Sequence, residues 1–452
     1  MSNYVEQPRY LCALGGAVGT LNALPKTIPI LHAAGGCGGN ISNALNAGAG
    51  YLGSSYCGGQ SLPSTNVYEP HIVFGGETRL AEQIENTLKL VNGDLYFVIT
   101  GCMVDMIGDD TASVVKSFSG KSQGKTKGKT VLSAETGGFK GNSFKGYDIV
   151  LETLFRDYVK VAAQKTPNLV NLWGIVPVQD VFWKGDLRVV KALLEKLGLK
   201  VNTFFGDGET LENLKHAGKA ALNIVVSDVY GITPAKAFEE VHGIPYLSVP
   251  LPMGVQGSRL FLKAVAGALG IEDAFVQRAI RDEEAYFYSY YERLADAYND
   301  LDLQRYAVIV GDSNYTQALA RFLADDLGWL PELVVVTDFL DDPEKEKVRA
   351  RFSGYVSGLT PKIVFDTNTT SVRRHLNDHW PKNRGQRYYD NFTPAFVLGS
   401  AFDRELAEDL NSPHLSVTFP ISNRVVLDRA YAGYKGALSL TEDILGALVS
   451  AR

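Results

Sequence analysis

The placement of the cysteines is the feature of this 452-residue sequence that most clearly suggests a chemical function. The chain has four cysteines, and all of them lie in its first quarter: Cys12, Cys37, Cys57 and Cys102. A thiolate is both a nucleophile and a metal ligand. In a long chain without a secretory signal, such clustering indicates metal or redox chemistry rather than a disulfide framework. The Cys-x-x-Cys spacing of a zinc site is absent.

Cys37 lies between two pairs of glycines in the segment LHAAGGCGGN, directly after an apolar run. Glycine lets another body approach the main chain closely, so a loop that packs against a bulky inorganic group while offering one thiolate would have this pattern. The alternative is a tight turn around a small buried thiol. A second glycine-rich stretch, LGGAVGT at 14–20, follows Cys12 and is predicted to be a second flexible loop. Together with Cys102, these thiols favour a metal cluster.

Iron–sulfur clusters take thiolate ligands, which makes them the natural candidates for this chemistry. Three candidate thiols are too few for a four-cysteine cluster within one chain. Either a non-cysteine ligand completes the site, or the cluster lies at an interface and a partner supplies the rest. Cys57 is a spare ligand, a thiol near the cluster or a buried hydrophobe, and we prefer the last interpretation.

Apolar, β-rich runs alternate with helical patterns along the whole chain. Most of the runs are continuous rather than alternating, which is typical of strands buried on both faces of a parallel sheet. The predicted strands occupy 94–100, 170–176, 200–205, 222–227, 306–311, 332–338, 362–366 and 395–400. Helical patterns such as 185–199 and 314–329 lie between them, so the sequence predicts a doubly wound α/β fold.

The alternation of predicted strands and helices is repeated along the chain. The pieces VHGIPYLSVPLP (241–252) and LNSPHLSVTFP (410–420) are similar and indicate a weak internal repeat. We therefore predict three Rossmann-like domains with mostly parallel sheets, at residues 1–165, 166–302 and 303–452. The first of them carries the cysteines.

Two of the thiols are predicted to lie where ligands bind in open α/β sheets, at the carboxyl ends of strands. Cys102 follows the predicted strand DLYFVIT, and Cys37 follows IPILHAAGG, so both are expected on strand-exit loops. Asp109 and Asp110 come shortly after Cys102 and suit the start of the next helix, where carboxylates accept hydrogen bonds from free N–H groups. Acid–base chemistry is the less favoured interpretation of that pair.

Composition excludes several classes of function. A net charge of −6 argues against a protein that binds nucleic acid through its phosphate backbone. No apolar run approaches the roughly 20 residues of a membrane span, and the first residues lack the features of a signal peptide. We therefore expect a cytoplasmic protein that binds neither nucleic acid nor a membrane.

Several ordered motifs resemble the nitrogenase component 1 family. The first three are CALGGAVGTLNALPKTIPILHAAGGCGG, VFGGETRLAEQI and ITGCMVDMIGDD, which are similar to the amino-terminal domain of its β-type chain. Further segments resemble the second and third domains, and residues 399–440 are similar to the family's ending. The resemblance covers nearly the whole chain. It implies an α2β2 heterotetramer in which α-type and β-type subunits share an 8Fe-7S P-cluster at their interface.

The resemblance also assigns roles to individual residues. It implies that Cys37 is a bridging ligand of the P-cluster and that Cys12 and Cys102 are terminal ligands. Phe74 matches a phenylalanine on the surface where the separate ATP-dependent iron–sulfur reductase component docks. In the segment FKGNSFKGYD, Asn142 stands where some members have a serine that binds the oxidised cluster, with Ser143 next to it. Redox-dependent ligation at that position is therefore not expected here.

The family's α-type chain holds the substrate-reducing cofactor through a further cysteine, which this sequence lacks after Cys102. The resemblance thus implies the β-type, electron-relaying subunit of an oxidoreductase whose catalytic cofactor lies in the partner. The short segment before Cys12 and the divergent cysteine contexts favour a nitrogenase-like reductase, with methylthio-alkanes or a related small molecule as substrate. The alternatives are a β subunit of a vanadium, iron-only or molybdenum nitrogenase, and a cofactor-assembly scaffold.

The histidines add no independent metal motif. His32, five residues before Cys37, is interpreted as packing or hydrogen bonding beside the cysteine segment rather than as a ligand. His375 and His379 are four residues apart, so both imidazoles could share one helix face. Because no HExxH pattern accompanies them, a surface pair is the preferred interpretation.

Overall fold

Three separate parallel β-sheets with helices packed on them form the described part of the chain. The computed structural model describes residues 5–6, 8–50, 62–118, 129–206, 208–300, 303–380 and 392–451. Every pairing among the strands assigned within these ranges is parallel. The predicted α/β fold is therefore confirmed. No helix of the described ranges is both long and apolar enough to span a membrane.

The first sheet has three strands in the order β1-β2-β3. Its continuous apolar runs bury both faces, and every residue of LYFVIT in β2 is buried. The strands are β1 (Thr27–His32), β2 (Leu95–Thr100) and β3 (Thr130–Ala134). The helices of this part are α1 (Ala13–Asn22), α2 (Gly35–Gly48), α3 (Glu69–Phe74), α4 (Glu77–Leu90), α5 (Cys102–Ile107), α6 (Thr111–Lys116) and α7 (Ser143–Asp157).

The second sheet has four strands in the order β5-β4-β6-β7, which places its topological switch point between β4 and β6. Its strands are β4 (Leu169–Trp173), β5 (Lys200–Asn202), β6 (Leu222–Val225) and β7 (Tyr246–Ser248). Its helices are α8 (Trp183–Glu195), α9 (Leu211–Lys215), α10 (Ile232–His242), α11 (Gly254–Leu269), α12 (Asp273–Tyr291) and α13 (Ala295–Asp300).

The third sheet has five strands in the order β10-β9-β8-β11-β12, the doubly wound order with its switch point between β8 and β11. The strands are β8 (Tyr306–Gly311), β9 (Leu330–Val336), β10 (Lys362–Phe365), β11 (Ala395–Gly399) and β12 (His414–Ser416). The helices are α14 (Ser313–Arg321), α15 (Asp342–Arg351), α16 (Val372–His379), α17 (Arg404–Asp409) and α18 (Gly433–Ser450), and a π-turn at Phe322–Asp326 extends α14.

The eight strands expected from apolar runs are all present, and the two similar sequence pieces contain β7 and β12. These two short strands occupy corresponding edges of the second and third sheets. Each sheet falls within one of the three predicted segments, whose exact boundaries stay a prediction. The last helix, α18, nevertheless packs on α8, α11 and α12 of the second part. One large apolar core therefore runs through all three parts.

The glycine-rich stretch at 14–20 is not the flexible loop that its composition suggests, because it lies inside the buried helix α1. Its glycines let α1 approach α7. A Cβ on Gly16 would lie 1.8 Å from the Ser143 carbonyl oxygen, and a Cβ on Gly146 would lie 2.0 Å from the Ala13 carbonyl oxygen. Both helices thus need a residue without a side chain at their crossing.

The second and third sheets meet end to end. Asn314, in the first turn of α14, donates its Nδ2–H groups to the carbonyl oxygens of Gly174 (3.1 Å) and Val226 (3.2 Å). Those carbonyls directly follow β4 and β6, so a side chain from the third part fills the switch point of the second sheet. This crevice, a usual ligand position in α/β sheets, is closed here.

Buried carboxylates lie at the same junction. Asp186 accepts hydrogen bonds from the backbone N–H groups of Tyr431 and Ala432 and from the Tyr315 hydroxyl (2.5 Å). Asp338 accepts a bond from the Ser313 N–H (2.7 Å). Burial raises the pKa of Asp186 to about 6, and burial together with a neighbouring carboxylate raises that of Asp338 to about 7. Ionising these groups opposes folding.

The substitution Asp338→Asn tests this electrostatic cost. The folded carboxyl titrates near pH 7 and the unfolded one near about 3.9, so folding takes up a proton between these values and stability falls as the pH rises through them. Asparagine keeps an acceptor for Ser313 without the charge. In urea unfolding, we measure the free energy of unfolding of the Asp338→Asn chain minus that of the native chain. We expect this difference to be at least about 1 kcal/mol larger at pH 8 than at pH 5.

The exposed Asp378 provides the control, since Asp378→Asn removes a carboxylate of the same type from the surface. That variant should change stability by no more than about 0.5 kcal/mol at either pH. An Asp338→Asn chain whose stability difference from the native protein is the same at both pH values would contradict the assigned pKa.

Candidate metal centre

Two of the candidate thiols lie at the carboxyl ends of neighbouring strands. β1 and β2 pair in register up to His32 and Thr100, so both strands end at the same edge of the sheet. Cys102 is the first residue of α5, directly after β2. Cys37 lies in the opening turn of α2, shortly after β1. Both follow strand exits as predicted, although GGCGG begins a helix and does not form the expected loop.

Cys12 reaches the same edge from a different direction. It caps the amino terminus of α1, where the Ala13 N–H donates to the Gly141 carbonyl oxygen (2.9 Å) just before α7. The preceding residues are anchored on the third part of the chain. Arg9 forms a buried ion pair with Asp403 (2.5 Å), and the Tyr10 hydroxyl lies 2.9 Å from Thr337 Oγ1. Long-range contacts therefore fix the position of this thiol.

Gly138 lies between Cys12 and Cys102. Its backbone N–H donates to Cys102 Sγ at 3.0 Å, and a Cβ at this position would come within 3.1 Å of Cys102 Sγ and 3.6 Å of Cys12 Sγ. Sequence reasoning missed this residue. The sequence signal that could have identified Gly138 is its position shortly after β3, the third strand that ends at this edge.

Cys37 shares the electrostatic environment of the other two thiols. Burial raises the pKa of Cys37, and the negative charges of Cys12 and Cys102 raise it further. Cys12 and Cys102 are exposed, whereas Cys37 is half-buried. The three sulfur atoms thus lie on one surface, and repulsion among their thiolates would be relieved by a positively charged group placed against them.

The glycines around Cys37 leave free space in front of that surface. A Cβ on Gly36 or Gly39 would meet no heavy atom of the described residues within 4 Å, and both glycines are exposed. Glycine within a helix costs about 0.5–1 kcal/mol relative to alanine, and packing against the described residues does not require it at these two positions. The arrangement suits a surface on which another body sits.

Within the described ranges, no group of three or more His, Cys, Asp or Glu side chains is arranged to hold a single metal ion. A single ion keeps its sulfur ligands at about 2.3 Å, which forces them into close contact. A polynuclear iron–sulfur cluster distributes its thiolates over several irons. The three thiols of this edge, two of them exposed, are compatible with part of such a ligand set.

His32 is the last residue of β1, at the edge that carries the thiols, and it is fully buried. Its Nδ1 lies 3.1 Å from Thr65 Oγ1 and its Nε2 lies 3.0 Å from Asp109 Oδ2. Desolvation lowers the pKa of His32, although Asp109 opposes the shift. Both ring nitrogens are engaged, so the imidazole is a supporting group, in agreement with its interpretation from the sequence.

Only one of the two neighbouring aspartates caps the helix that follows them. Asp110 accepts from the Ser113 N–H at 2.9 Å and so begins α6. Asp109 instead accepts from the Gly76 N–H and contacts His32. It links the start of α4 to the end of β1, a role that the local sequence did not indicate.

Phe74 lies at the end of an exposed apolar helix. No residue of α3 is buried, and the Phe74 side chain is 87% exposed. Val73 on the same helix and Met106 on the adjacent helix α5 are also exposed. Because α5 begins with Cys102, this apolar patch is continuous with the helix that carries one of the thiols.

The side-chain oxygens of Asn142 and Ser143 are both engaged with residues other than the cysteines. The Asn142 side chain caps α7 by accepting from the Phe144 N–H at 3.2 Å. The buried Ser143 hydroxyl donates to Gln179 Oε1 at 2.9 Å. The backbone of Asn142 does pair with Cys12, so this residue positions the thiol through its main chain.

The remaining sequence candidates lie apart from this edge or outside the described residues. His375 Nε2 contacts Asp366 Oδ2 at 2.6 Å, and His379 lies 3.5 Å from Glu332. The two imidazoles therefore have separate carboxylate partners. Cys57 falls in the segment 51–61, which is outside the described residues.

The family described as nitrogenase component 1 type oxidoreductase matches residues 12–449. The chain belongs to this family. Among solved structures, one titled "Nitrogenase Cp1 at pH 6.5" matches with a TM-score of 0.79 and 21% identity, covering 100% of this chain and 94% of the other. The family resemblance stated from the sequence is thus confirmed, and this nitrogenase structure shares the fold.

Relatives within the family include several different chains. The nitrogenase molybdenum-iron protein beta chain of Methanococcus maripaludis is 23% identical over 98% of this chain and 94% of its own length. The alpha chain of Methanothermobacter marburgensis is 25% identical over 97% and 87%. The cofactor biosynthesis protein NifE of Clostridium pasteurianum is 28% identical over 66% and 62%. These similarities establish a nitrogenase-family oxidoreductase at the level of the family.

Thiol reactivity tests the geometry of this edge. In the metal-free chain at pH 7.5, we expect iodoacetamide to alkylate Cys37 at least about fivefold more slowly than Cys12 and Cys102, because thiolates are the reactive form and Cys37 is both half-buried and raised in pKa. Peptide mass spectrometry over a time course measures the three rates. Fastest labelling at Cys37 would contradict this arrangement.

Proposed function

We propose that this chain is the β-type subunit of a nitrogenase-like two-component reductase, and that Cys12, Cys37 and Cys102 hold one half of an iron–sulfur P-cluster. The observation that supports this most directly is the convergence of the three thiols on one exposed edge. Iron–sulfur clusters are built on cysteine thiolates, and the three thiols described at this edge are too few for a complete site. A partner chain must supply the other ligands.

The partner is an α-type subunit that covers this edge. Two of the thiols are exposed, and no described residue fills the space in front of Gly36 and Gly39, so a second chain can close over a cluster here. Relatives named as alpha and beta chains both align along nearly the whole sequence. An α2β2 heterotetramer with a shared 8Fe-7S cluster accounts for these observations.

The residues of this chain hold and tune the thiolates. When bound, the cluster supplies one-electron transfer. The Gly138 N–H donates to Cys102 Sγ and orients that sulfur, while the absence of a side chain at Gly138 leaves room beside Cys12. His32 and Asp109 fix the ends of the strands that present Cys37 and Cys102.

We assign the substrate-reducing cofactor to the partner. This chain has no cysteine beyond Cys102 with which to hold it, and Asn314 fills the switch point of the second sheet. In this proposal, electrons arrive from a separate ATP-using iron–sulfur reductase component that docks beside Phe74. They leave for the partner's cofactor, where methylthio-alkanes or a related small substrate are reduced.

Two other functions within the family have support. A β subunit of a vanadium, iron-only or molybdenum nitrogenase is supported by the beta-chain relative. A cofactor-assembly scaffold is supported by the 28% identity with NifE, which extends over a smaller part of the chain. Sequencing the partner separates the scaffold from the relay: three matching cysteines favour a P-cluster, whereas one matching cysteine favours a scaffold with a four-iron cluster.

The substitution Cys37→Ser tests the proposed ligation. The complex with the α-type partner is purified without oxygen, and its iron is counted by plasma mass spectrometry. We expect Cys37→Ser to lose at least about half of the cluster iron and to reduce electron transfer through the complex by at least about 100-fold. A serine hydroxyl is a poor replacement for a bridging thiolate.

Cys57→Ser provides the matched control, because Cys57 is not among the proposed ligands. It should keep its iron and at least about half of its activity. A Cys37→Ser complex with full iron content and activity would contradict the proposal, and iron loss in Cys57→Ser would contradict a ligand set of three thiols.

The substitution Phe74→Ala tests the docking surface. Exposed aromatic side chains at interface centres commonly contribute about 1–2 kcal/mol to binding, so we expect the KM for the reductase component to rise about tenfold. Iron content should not change. Phe339→Ala removes another strongly exposed phenylalanine from the third part and should leave KM within about twofold. Equal effects of both substitutions would contradict docking at Phe74.

A further inference from the structure

The turn that follows β3 is bonded to the segment of β2 and α5 through three successive backbone N–H groups. The bonds run from the N–H of Thr136 to Thr100 Oγ1 (3.0 Å), from that of Gly137 to Asp105 Oδ2 (2.9 Å) and from that of Gly138 to Cys102 Sγ (3.0 Å). Each acceptor is a side-chain atom. The turn therefore depends on specific side chains of the neighbouring segment for its position beside the thiol.

Asp105 and Cys102 lie on the same side of α5, because they are three residues apart in a helix. Their side chains accept hydrogen bonds from two adjacent residues of the turn, Gly137 and Gly138. Only the φ and ψ angles of Gly137, at −50° and 138°, separate the two donor N–H groups. Fixing the first N–H on Asp105 therefore restricts the direction of the second.

The two glycines allow this close contact and also make an anchor necessary. A Cβ on Gly137 would lie 2.5 Å from Asp105 Oδ2, and a Cβ on Gly138 would lie 3.1 Å from Cys102 Sγ. Glycine has more backbone freedom than any other residue. Without the bond at Gly137, the Gly138 N–H could turn away from the sulfur at little cost.

The Asp105 carboxylate is suited to anchor the turn because it is largely shielded from water. Its side chain is 5% exposed. A hydrogen bond from a backbone N–H to a carboxylate is roughly twice as strong as one between neutral groups. Lys140, on the same turn, lies 3.9 Å from Asp105 Oδ2, although its closer partner is Glu135 at 2.5 Å. The carboxylate thus accepts from the turn and also faces a cation that the turn carries.

A hydrogen bond to the sulfur of a thiolate ligand favours the more reduced, more negative state of an iron–sulfur cluster, and so raises its reduction potential. The negative charge of a nearby carboxylate acts in the opposite direction. Asp105 would therefore influence a cluster on Cys102 in two ways, through the bond that it positions and through its own charge. A neutral side chain that still accepts a hydrogen bond separates the two effects.

We propose that Asp105 is a positioning residue for the cluster. By holding the Gly137 N–H, it directs the Gly138 N–H at Cys102 Sγ and so raises the reduction potential of the iron–sulfur cluster that Cys102 binds. This inference rests on the proposed function, because it needs a cluster at the three thiols. No electron or proton passes through Asp105 itself.

Hydrogen exchange in the metal-free full-length chain tests the positioning without any cluster. Mass spectrometry with electron-transfer fragmentation resolves the amides of Gly137 and Gly138. We expect Asp105→Ala to accelerate exchange at both amides by at least about tenfold, because neither N–H keeps its acceptor in place. Asp105→Asn retains an acceptor oxygen and should stay within about threefold of the native rates. Acceleration at Gly137 alone would overturn the proposal.

A redox titration followed by electron paramagnetic resonance tests the effect on the cluster, in the complex with the α-type partner purified without oxygen. Asp105→Ala and Asp105→Asn both lack the charge, so their difference measures the positioned bond. At the midpoint potential of Asp105→Asn, we expect the ratio of reduced to oxidised cluster in Asp105→Ala to be at least about threefold lower. Asp105→Leu, which also lacks an acceptor, replaces Asp105→Ala if that complex loses iron.

Glu135→Gln provides the matched control, since it removes a carboxylate that pairs with Lys140 on the same turn but is 70% exposed. It should change the exchange rates and the redox ratio by less than about twofold. Equal midpoint potentials for Asp105→Ala and Asp105→Asn in complexes with full iron, or a higher one for Asp105→Ala, would overturn the proposal. A native complex without iron would instead contradict the proposed function, so the two failures are distinguishable.

Discussion

The close crossing of α1 and α7 is the constraint on which the cysteine edge depends, that is, the sheet edge that carries Cys12, Cys37 and Cys102. Gly16 and Gly146 allow the two backbones to touch, and any side chain at either position would overlap a carbonyl oxygen of the other helix. The crossing places the start of α1 beside the start of α7, and therefore Cys12 beside Gly138. Arg9 and Tyr10 then tie the preceding residues to the third part. Cys12 is thus positioned by the first and third parts of the chain.

The other two thiols depend on the parallel register of β1 and β2. Because the strands end together, residues 65 positions apart in sequence emerge at one edge, and the His32–Asp109 contact holds their exits. Burial raises the pKa of Cys37, and the negative charges of Cys12 and Cys102 raise it further, so holding the three thiolates together is unfavourable. The fold maintains this arrangement with buried polar contacts beneath it, which is the pattern expected where local stability is given up for a binding function.

The sequence was sufficient to predict those strands that are marked by a continuous apolar run. Continuous apolar runs identified eight strands correctly, and strand exits located Cys37 and Cys102. It was misleading for glycine, because 14–20 and GGCGG were interpreted as loops although both lie in helices. Glycine's low helix propensity is a local property, whereas its role at Gly16 arises from a helix more than a hundred residues away. Gly138 was missed for the same reason, since its closeness to Cys102 exists only in the folded chain.

The three sheets use their carboxyl edges differently, and this difference separates their roles. The edges of the second and third sheets face each other, and Asn314 satisfies the carbonyl oxygens at the β4–β6 switch point, so the interior there is occupied by the protein itself. The edge of the first sheet is left open, with two exposed thiols and glycines that pack against nothing in the described chain. In the proposed function, a partner subunit completes this edge. The same architecture therefore provides a rigid body at two of its edges and, in that proposal, a shared site at the third.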